Sequence, residues 1–188
     1  MPGINTHETP PVPFDRSYWV LPGRLLAGFY PGAPSDEEAE QKLGALLDAG
    51  IRCVVNLVEE DETDWEDQPL RSYSGLLMRL AAERHVEVTY QRIPIRDVDV
   101  PSEATMQAIL DAIDGALSRD QAVYVHCWGG RGRAGTVVGC YLVRHGIARG
   151  EQALDRIAFL RRMEATAEKP SPETEGQCAM VRGWRQGQ

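Results

Sequence analysis

A cysteine and an arginine bracket five residues in the stretch V-Y-V-H-C-W-G-G-R-G-R-A-G-T, which runs from Val123 to Thr136. Cys127 carries a thiol that can act as a nucleophile, and the planar guanidinium of Arg133 suits two oxygens of a phosphate group. Glycine permits the backbone dihedrals with which successive N–H groups converge on an anion. Three glycines lie between the two residues: Gly129, Gly130 and Gly132. The stretch therefore predicts a phosphate-binding loop that carries a reactive thiol.

The same stretch also contains G-x-G-x-x-G, the spacing of a dinucleotide-binding turn, at Gly130, Gly132 and Gly135. In a dinucleotide-binding fold, a second parallel strand follows the turn and its helix. That strand ends about 20 residues after the turn in an Asp or Glu that holds the ribose. Here this distance falls on Glu151 to Asp155, which begins another amphipathic helix. A Walker loop fails as well, because Thr136 occupies the position where its lysine should follow Gly135.

The elements around the loop favour the thiol interpretation. A short apolar strand over 122–125 precedes Cys127, and an apolar helix over 135–145 follows the loop. The N-terminus of a helix and the backbone N–H groups of residues 128–133 stabilise both a bound anion and a thiolate, the reactive form of cysteine. The alternative is a buried cysteine beside a surface arginine, which would not require the strand, the glycines and the helix to lie in register.

Four residues of the stretch, His126, Cys127, Gly130 and Arg133, fit the pattern H-C-x-x-G-x-x-R. By this signature the chain resembles the cysteine-dependent protein tyrosine and dual-specificity phosphatases, and among them the small bacterial dual-specificity-like members. Two further segments add to the match: P-I-R-D-V-D-V-P-S resembles the general-acid loop of the family, and S-P-E-T-E-G-Q resembles its glutamine-bearing late helix. The resemblance extends over about residues 25–184. It implies a phosphomonoester hydrolase that needs neither a cofactor nor a metal.

The resemblance also implies roles for the residues of the loop. Cys127 attacks phosphorus in line and forms a phosphocysteine intermediate. Arg133 and the loop amides hold the equatorial oxygens, over which charge is spread in the transition state. His126 supports the loop through hydrogen bonds and does not transfer protons. The amides belong to Trp128, Gly129, Gly130, Arg131 and Gly132.

Two further roles fall outside the loop. By its place in I-P-I-R-D, Asp97 is the proton donor for the leaving group, and it later takes a proton from the hydrolytic water. Asp99 is the competing acid two residues further on, and both could instead be solvated loop residues. Gln177 either orients the attacking water, as the resemblance suggests, or is a surface glutamine on an amphipathic helix.

Three residues in and beside the loop require their own interpretation. The family has Ser or Thr directly after the arginine, where the hydroxyl stabilises the departing thiolate, but here Ala134 takes that place and Thr136 lies two residues further on. We therefore expect slow hydrolysis of the phosphocysteine. Arg131 is an extra cation that either suits a multiply phosphorylated substrate or makes a surface contact. Trp128 either forms a pocket wall or covers the loop.

Composition limits the class of protein. The chain has 188 residues, enough for one domain, and a formal net charge of −8 with a pI of about 5.0, which argues against nucleic-acid binding. No apolar run approaches the roughly 18 residues of a membrane span, and the N-terminus lacks the pattern of a secretory signal. The four cysteines show no zinc-binding spacing. Reduced thiols in a cytoplasmic enzyme are therefore expected.

The expected fold class is α/β, with a small central, mostly parallel sheet flanked by helices and the phosphate loop between a strand and a helix. Residues 1–20 are Pro-rich and polar and are predicted to form an arm, followed by a single catalytic domain over 21–188. The predicted element order is β-α-β-α-β-α-β-α-α-α, in which Ser35 caps the first helix and Ser171-Pro172 begins the last. The acidic stretch from Glu59 to Asp67 is predicted to be a solvated loop.

Three functions are compatible with these features. The first is hydrolysis of a phosphomonoester, on a protein phosphorylated at tyrosine, serine or threonine or on a small molecule such as an inositol phosphate. The second is phosphate binding without turnover, a pseudophosphatase, which Ala134 suggests and the intact Cys127, Arg133 and Asp97 argue against. The third is a rhodanese-type sulfurtransferase, which also holds an anion over a loop cysteine but needs no acid such as Asp97.

Overall fold

The computed structural model of the protein describes residues 10–188, and within them one five-stranded sheet forms the centre of the fold. β1 pairs antiparallel with β2, and the other neighbouring strands are parallel. The order across the sheet is β1-β2-β5-β3-β4, so β5 is the central strand and is hydrogen-bonded on both sides. The strands are β1 (Ser17–Leu21), β2 (Leu25–Gly28), β3 (Ile51–Asn56), β4 (Thr89–Arg92) and β5 (Ala122–His126).

Helices cover both faces of this sheet. Within the described residues they are α1 (Asp36–Asp48), α2 (Ser74–Glu83), α3 (Glu103–Ser118), α4 (Gly132–Arg144), α5 (Glu151–Arg161) and α6 (Glu175–Gly183). Tyr124 of β5 is buried in the layer with α1 and α2, whereas Val123 and Val125 belong to the layer with α3 to α6. This alternation is the two-residue period of a strand that is buried on both faces.

The expected α/β class with a mostly parallel sheet is confirmed, but the predicted element order lacks the first strand. β1 lies within the segment 1–20 that its composition assigned to an arm, and its residues Ser17 to Val20 are buried in the sheet. The run S-Y-W-V-L is rich in aromatic and β-branched side chains, which favour a strand despite the prolines before it. The sheet therefore begins before the predicted boundary at residue 21. Residues 1–9 of the predicted arm lie outside the described residues.

The helix termini agree with the sequence in part. Ser35 caps α1, and its hydroxyl accepts the N–H of Glu38. The last helix begins later than predicted, because Thr174 and Gln177 form a capping box while Ser171-Pro172 remains in the preceding loop. α4 begins at Gly132, earlier than predicted, so the phosphate loop leads directly into the helix N-terminus.

α4 lies in the core, and every residue from Gly132 to Val143 is buried. It approaches α6 closely at Gly139, where a Cβ would come within 2.5 Å of Cγ2 of Val181. A larger residue would have to displace one of the two helices. The close packing therefore fixes the position of α4, and with it the position of the loop at its N-terminus.

Candidate active site

The loop from Cys127 to Arg131 joins the central strand β5 to the buried helix α4. Gly130 has a φ of 74° and lies against β2, where a Cβ would come within 2.7 Å of the carbonyl carbon of Gly28. Both the left-handed φ and the lack of space require glycine at this position. The strand, loop and helix that the sequence predicted around Cys127 are present, and the loop is held between β2 and α4.

Cys127 is 2% exposed, and its Sγ accepts a hydrogen bond from the N–H of Gly130 at 3.3 Å. A backbone donor aimed at sulfur favours the thiolate over the thiol. The remaining cysteines lie away from the loop, and burial raises the pKa of Cys53, Cys140 and Cys178. Because those three thiols stay protonated near neutral pH, Cys127 is the candidate nucleophile.

Arg133 is 1% exposed, and most of its N–H donors are occupied. Nη1 donates to Oε2 of Glu62 at 2.6 Å and to the carbonyl oxygen of Ile95 at 3.0 Å. Nη2 donates to Oε1 of Glu62 at 2.6 Å and lies 2.8 Å from Oδ1 of Asp97. Nε is buried and has no hydrogen-bond partner among the described residues. The edge formed by Nε and Nη2 is therefore the one that a phosphate can use when Asp97 withdraws.

Glu62 is a site residue that the sequence interpretation missed, because it belongs to the acidic stretch 59–67 that was predicted to be solvated. Its side chain is only 9% exposed and forms a two-point ion pair with Arg133. Burial opposes the charge on Arg133, but the hydrogen bonds with Glu62 and the nearby charges of Cys127, Glu62 and Asp97 together outweigh it and raise the pKa of the arginine. The guanidinium therefore stays charged and fixed in orientation. The position of the stretch in the sequence could have indicated this role. It follows β3, and the catalytic loop follows the parallel neighbour β5, so both segments lie at the same edge of the sheet.

The structure separates the two candidate acids. Asp97 contacts Arg133 and lines the cavity beside the loop. The carboxylate of Asp99 instead accepts the backbone N–H of Val100 at 2.7 Å, and its carbonyl oxygen accepts a hydrogen bond from the Gln177 amide at 3.1 Å. This placement supports Asp97 as the proton donor and gives Asp99 a part in holding the same loop.

His126 is fully buried behind the loop. Its Nδ1 lies 3.1 Å from the carbonyl oxygen of Cys127, and its Nε2 is hydrogen-bonded to the hydroxyl of Tyr73. Burial lowers the pKa of His126 to about 3, so the ring is neutral near pH 7. A neutral imidazole has one donor and one acceptor, so Nδ1–H donates to the carbonyl and the tyrosine hydroxyl donates to Nε2. The contacts support the structural role that the sequence implied.

Gln177 is buried, so the interpretation as a surface glutamine is wrong. Its Oε1 accepts the N–H groups of Glu173 at 3.0 Å and Thr174 at 3.2 Å, and its Nε2 donates to the carbonyl of Asp99. The amide also packs against Gly132, where a Cβ would lie 3.1 Å from Nε2. Gln177 thus connects the acid loop, the phosphate loop and α6. Among residues 10–188, one of its two amide hydrogens has no acceptor and can bind a water molecule.

A cavity of about 350 Å³ opens beside the loop. Arg131 lies on its wall and forms an ion pair with Glu173, which compensates its charge and favours a surface contact over a site for a second phosphate. Trp128 packs against Trp65 with ring centroids 5.0 Å apart and against Phe29 at 5.5 Å. Trp128 is therefore a wall of the cavity. Trp65, which is 80% exposed and which the sequence interpretation missed, extends that wall.

A loop cysteine, a buried arginine and a loop aspartate thus meet at one edge of a mostly parallel sheet. A family model described as the Swiss Army Knife protein, DSP-PTPase phosphatase domain, matches residues 15–188 of the chain. The chain belongs to the dual-specificity and protein tyrosine phosphatase family. Its members are cysteine-based hydrolases of phosphomonoesters, as the signature around Cys127 led us to expect.

Named relatives agree with this assignment. The chain is 30% identical over 138 residues to protein tyrosine phosphatase domain-containing protein 1 of Bos taurus, and the match covers 73% of this chain and 16% of that protein. It is also 28% identical over 119 residues to phosphatidylglycerophosphatase and protein-tyrosine phosphatase 1 of Rattus norvegicus. That match covers 62% of this chain and 55% of the rat protein. The chain therefore spans less than two thirds of the length of these curated relatives.

A solved structure agrees with the family assignment. The crystal structure of Tk-PTP in the active form superposes on this chain with a TM-score of 0.62 and 25% sequence identity. The match covers 89% of this chain and 94% of the Tk-PTP chain. The matches do not favour the pseudophosphatase and sulfurtransferase alternatives. Within residues 10–188, no helix is long and apolar enough to cross a membrane.

The chain departs from the family signature at Ala134, which is buried in the first turn of α4. The next hydroxyl along the helix belongs to Thr136, and it donates to the carbonyl oxygen of Gly132 at 2.8 Å. In the described part of the chain, Sγ of Cys127 therefore receives a hydrogen bond from Gly130 but from no hydroxyl. Slow loss of the thiolate from a phosphoenzyme stays a prediction, and the occupied Thr136 supports it.

Proposed function

We propose that this phosphatase cleaves phosphomonoesters in two steps through a phosphocysteine on Cys127. The observation that carries the proposal is a group of hydrogen-bond donors gathered around Cys127 on one loop. A loop N–H already contacts the sulfur, and Arg133 at the end of the loop has a buried Nε that finds no partner in the described part of the chain. A tetrahedral phosphate dianion supplies the acceptors that such donors require.

In the first step, the substrate phosphate binds the amides of residues 128–133 and the Nε–Nη2 edge of Arg133. Asp97 leaves Nη2, because a phosphate oxygen competes for the same hydrogen. The released carboxylate takes up a proton from solvent and becomes the general acid. The thiolate of Cys127 attacks phosphorus while the bond to the leaving oxygen breaks, and the protonated carboxyl of Asp97 gives its proton to that oxygen. An S–P bond replaces the P–O bond, and the loop donors hold the equatorial oxygens throughout.

In the second step, water attacks the phosphorus of the phosphocysteine. Asp97 is now a carboxylate and takes a proton from the water, the S–P bond breaks, and Cys127 leaves as a thiolate. The N–H of Gly130 stabilises the returning charge on sulfur. The free amide hydrogen of Gln177, beside Gly132, orients the water.

We infer that the preferred substrate carries a flat aromatic group next to its phosphate, as phosphotyrosine does. Trp128 and Trp65 line the cavity together with Asp97, and a flat ring stacks favourably on such a wall. Arg131 is compensated by Glu173, so binding does not depend on a second phosphate. The name of the rat relative joins a phosphatidylglycerophosphatase and a tyrosine phosphatase, so both substrate classes belong in the test.

Phosphate release from a panel of substrates tests the reaction. The panel contains one peptide phosphorylated at tyrosine, serine or threonine in turn, inositol phosphates and phosphatidylglycerophosphate. We expect Cys127→Ser to abolish turnover, whereas Cys140→Ser, a control in the core of α4, retains it. Turnover that survives in Cys127→Ser overturns the mechanism. Phosphate binding without turnover on every substrate would instead assign a pseudophosphatase.

The same panel tests the substrate class. We expect the phosphotyrosine peptide to give the highest kcat/KM, and Trp65→Ala to lower that value while leaving the phosphoserine peptide nearly unchanged. The control is Trp19→Phe, because Trp19 is buried in the sheet away from the cavity. Equal kcat/KM on the three peptides, or equal loss on all of them in Trp65→Ala, would overturn the aromatic-wall inference but leave the phosphocysteine mechanism in place.

A further inference from the structure

Arg16 reaches the catalytic loop from a distant part of the sequence. It lies directly before β1 with a φ of 61°, and its Nη2 donates to the carbonyl oxygen of Gly129 at 2.9 Å, across 113 positions of the chain. Its guanidinium also stacks over the ring of Phe29 at 4.1 Å from the centroid. None of the steps described above uses this residue, and the sequence interpretation placed it in a Pro-rich arm.

The carbonyl that Arg16 holds belongs to the peptide unit that contacts the nucleophile. The carbonyl oxygen of Gly129 and the N–H of Gly130 are the two ends of one planar peptide, and they point in opposite directions. One end accepts the hydrogen bond from Arg16, and the other donates to Sγ of Cys127 at 3.3 Å. A rotation of this peptide would break both hydrogen bonds at once.

Neither flanking residue fixes the orientation of this peptide with a side chain, because both are glycines. A Cβ at Gly129 would meet no atom within 4 Å, so the space around it is open. Glycine populates both signs of φ with little cost, so a Gly-Gly peptide rotates more easily than any other. The orientation that directs the N–H at sulfur therefore needs an external contact, and Arg16 provides one.

We propose that Arg16 is a positioning residue for the nucleophile: by holding the Gly129 carbonyl, it keeps the Gly130 N–H on Cys127 and favours the thiolate. Its positive charge polarises the peptide in the same sense, because a cation at the carbonyl end strengthens the donor at the other end. The consequence for turnover rests on the function proposed above, whereas the consequence for the reactivity of the thiol does not.

The other groups around Cys127 do not duplicate this contribution. Arg133 is a cation at the start of α4, but Glu62 and Asp97 compensate its charge. Arg16 forms no ion pair within residues 10–188, and its Nε is buried without a partner there, although Glu164 lies near enough to attract it. The other titratable groups facing the sulfur are neutral near pH 7. Burial lowers the pKa of His126 on β5, and it raises the pKa of Tyr18 on β1 and Tyr124 on β5 further above the neutral range.

The rate of alkylation of Cys127 as a function of pH tests the proposal without requiring turnover. Iodoacetamide is the reagent, because it is neutral and its approach does not respond to the charge of Arg16. Two variants separate charge from packing: Arg16→Met keeps an aliphatic stem over Phe29 but donates nothing, and Arg16→Lys keeps a charged donor. The matched control is Arg24→Gln, since Nη2 of Arg24 also donates to a backbone carbonyl, that of Leu117, at 2.9 Å.

We expect the midpoint of the alkylation profile to move upward by about one pH unit in Arg16→Met, the size of effect that one charge-assisted hydrogen bond gives. Arg16→Lys should restore part of the shift, and Arg24→Gln should match the wild type. An unchanged midpoint in Arg16→Met with a wild-type near-UV circular dichroism spectrum would overturn the proposal. Loss of the folded state in both Arg16 variants would also overturn it and assign a purely structural role.

The result is independent of the proposed phosphatase activity. If the midpoint moves in Arg16→Met but the wild type releases no phosphate from any substrate, the positioning role stands and the function proposed above fails. If the wild type is active and the midpoint does not move, the reverse holds. In an active enzyme, Arg16→Met should also shift the acidic limb of the kcat/KM profile upward by the same amount as the alkylation midpoint.

Discussion

Nη2 of Arg133 lies 2.8 Å from Oδ1 of Asp97, so the residue proposed to bind the phosphate and the residue proposed to protonate the leaving group contact each other directly. A phosphate on the Nε–Nη2 edge competes with this ion pair. Binding therefore releases the carboxylate, which can then take up a proton from solvent and give it to the leaving oxygen. The arginine thereby couples substrate binding to the position of the acid.

Substitution of the carboxylate separates binding from catalysis. Asp97→Asn should lower kcat on alkyl or peptide phosphates by about 10²–10⁴, the contribution of a positioned acid. The loss should be much smaller on an aryl phosphate whose leaving group needs no proton. Asp99→Asn is the control, because its carboxylate accepts the N–H of Val100. If Asp99→Asn shows the dependence on leaving group and Asp97→Asn does not, the two roles must be exchanged.

Glu62→Gln removes the charge that pairs with the buried guanidinium of Arg133. Breaking a buried ion pair costs about 3–5 kcal/mol, and we expect the lower end because the glutamine oxygen still accepts one hydrogen bond. Urea unfolding measures the loss, and kcat/KM should fall by at least roughly tenfold as the guanidinium loses its orientation. Glu60→Gln, an exposed residue of the same acidic stretch, is the control. Equal effects of the two substitutions would show that the ion pair with Arg133 has no special weight.

The catalytic loop could be predicted from the sequence because its determinants are local. Cys127, the glycines and Arg133 lie within a few positions of one another, and the strand and helix on either side carry their own apolar patterns. Glu62 and Arg16 could not be predicted in the same way, because they reach the loop across 71 and 113 positions. Charged residues in polar stretches are usually solvated, and only the tertiary structure shows that these two are not.

Acid should destabilise the protein through His126. Burial lowers its pKa from 6.5 to about 3, so below pH 6.5 the unfolded chain binds a proton that the folded protein refuses until about pH 3. The free energy of unfolding therefore decreases as the pH is lowered from 6.5 to about 3, by at most about 1.4 kcal/mol per pH unit. Urea unfolding at pH 7 and pH 5 measures the loss, which should be much smaller in His126→Asn. A variant that loses as much stability as the wild type would contradict the assignment to His126.

Ala134 predicts which step limits turnover. A hydrogen bond to a charged group is worth about 1.5–3 kcal/mol, so its absence should slow hydrolysis of the phosphocysteine by roughly ten- to hundredfold. Rapid mixing with a good aryl phosphate should give a burst of phenol near one equivalent per active site, followed by slow turnover. Ala134→Ser should raise the steady-state rate and shrink the burst.

The control for that experiment is Thr136→Val, because the hydroxyl of Thr136 is already bonded to the carbonyl of Gly132. It should leave the burst and the steady-state rate unchanged. A linear time course, with no gain from Ala134→Ser, would mean that another group, such as the N–H of Gly130, already provides the stabilisation that Ala134 lacks.

The phosphocysteine itself gives the most direct test of the central claim. Rapid acid quench during turnover of a phosphate-labelled aryl substrate, followed by mass spectrometry of the proteolytic peptides, should find the phosphate on Cys127. The label should be absent from Cys127→Ser and should persist in Cys140→Ser. Turnover that proceeds with no phosphate on Cys127, or with phosphate on another residue, would contradict the account.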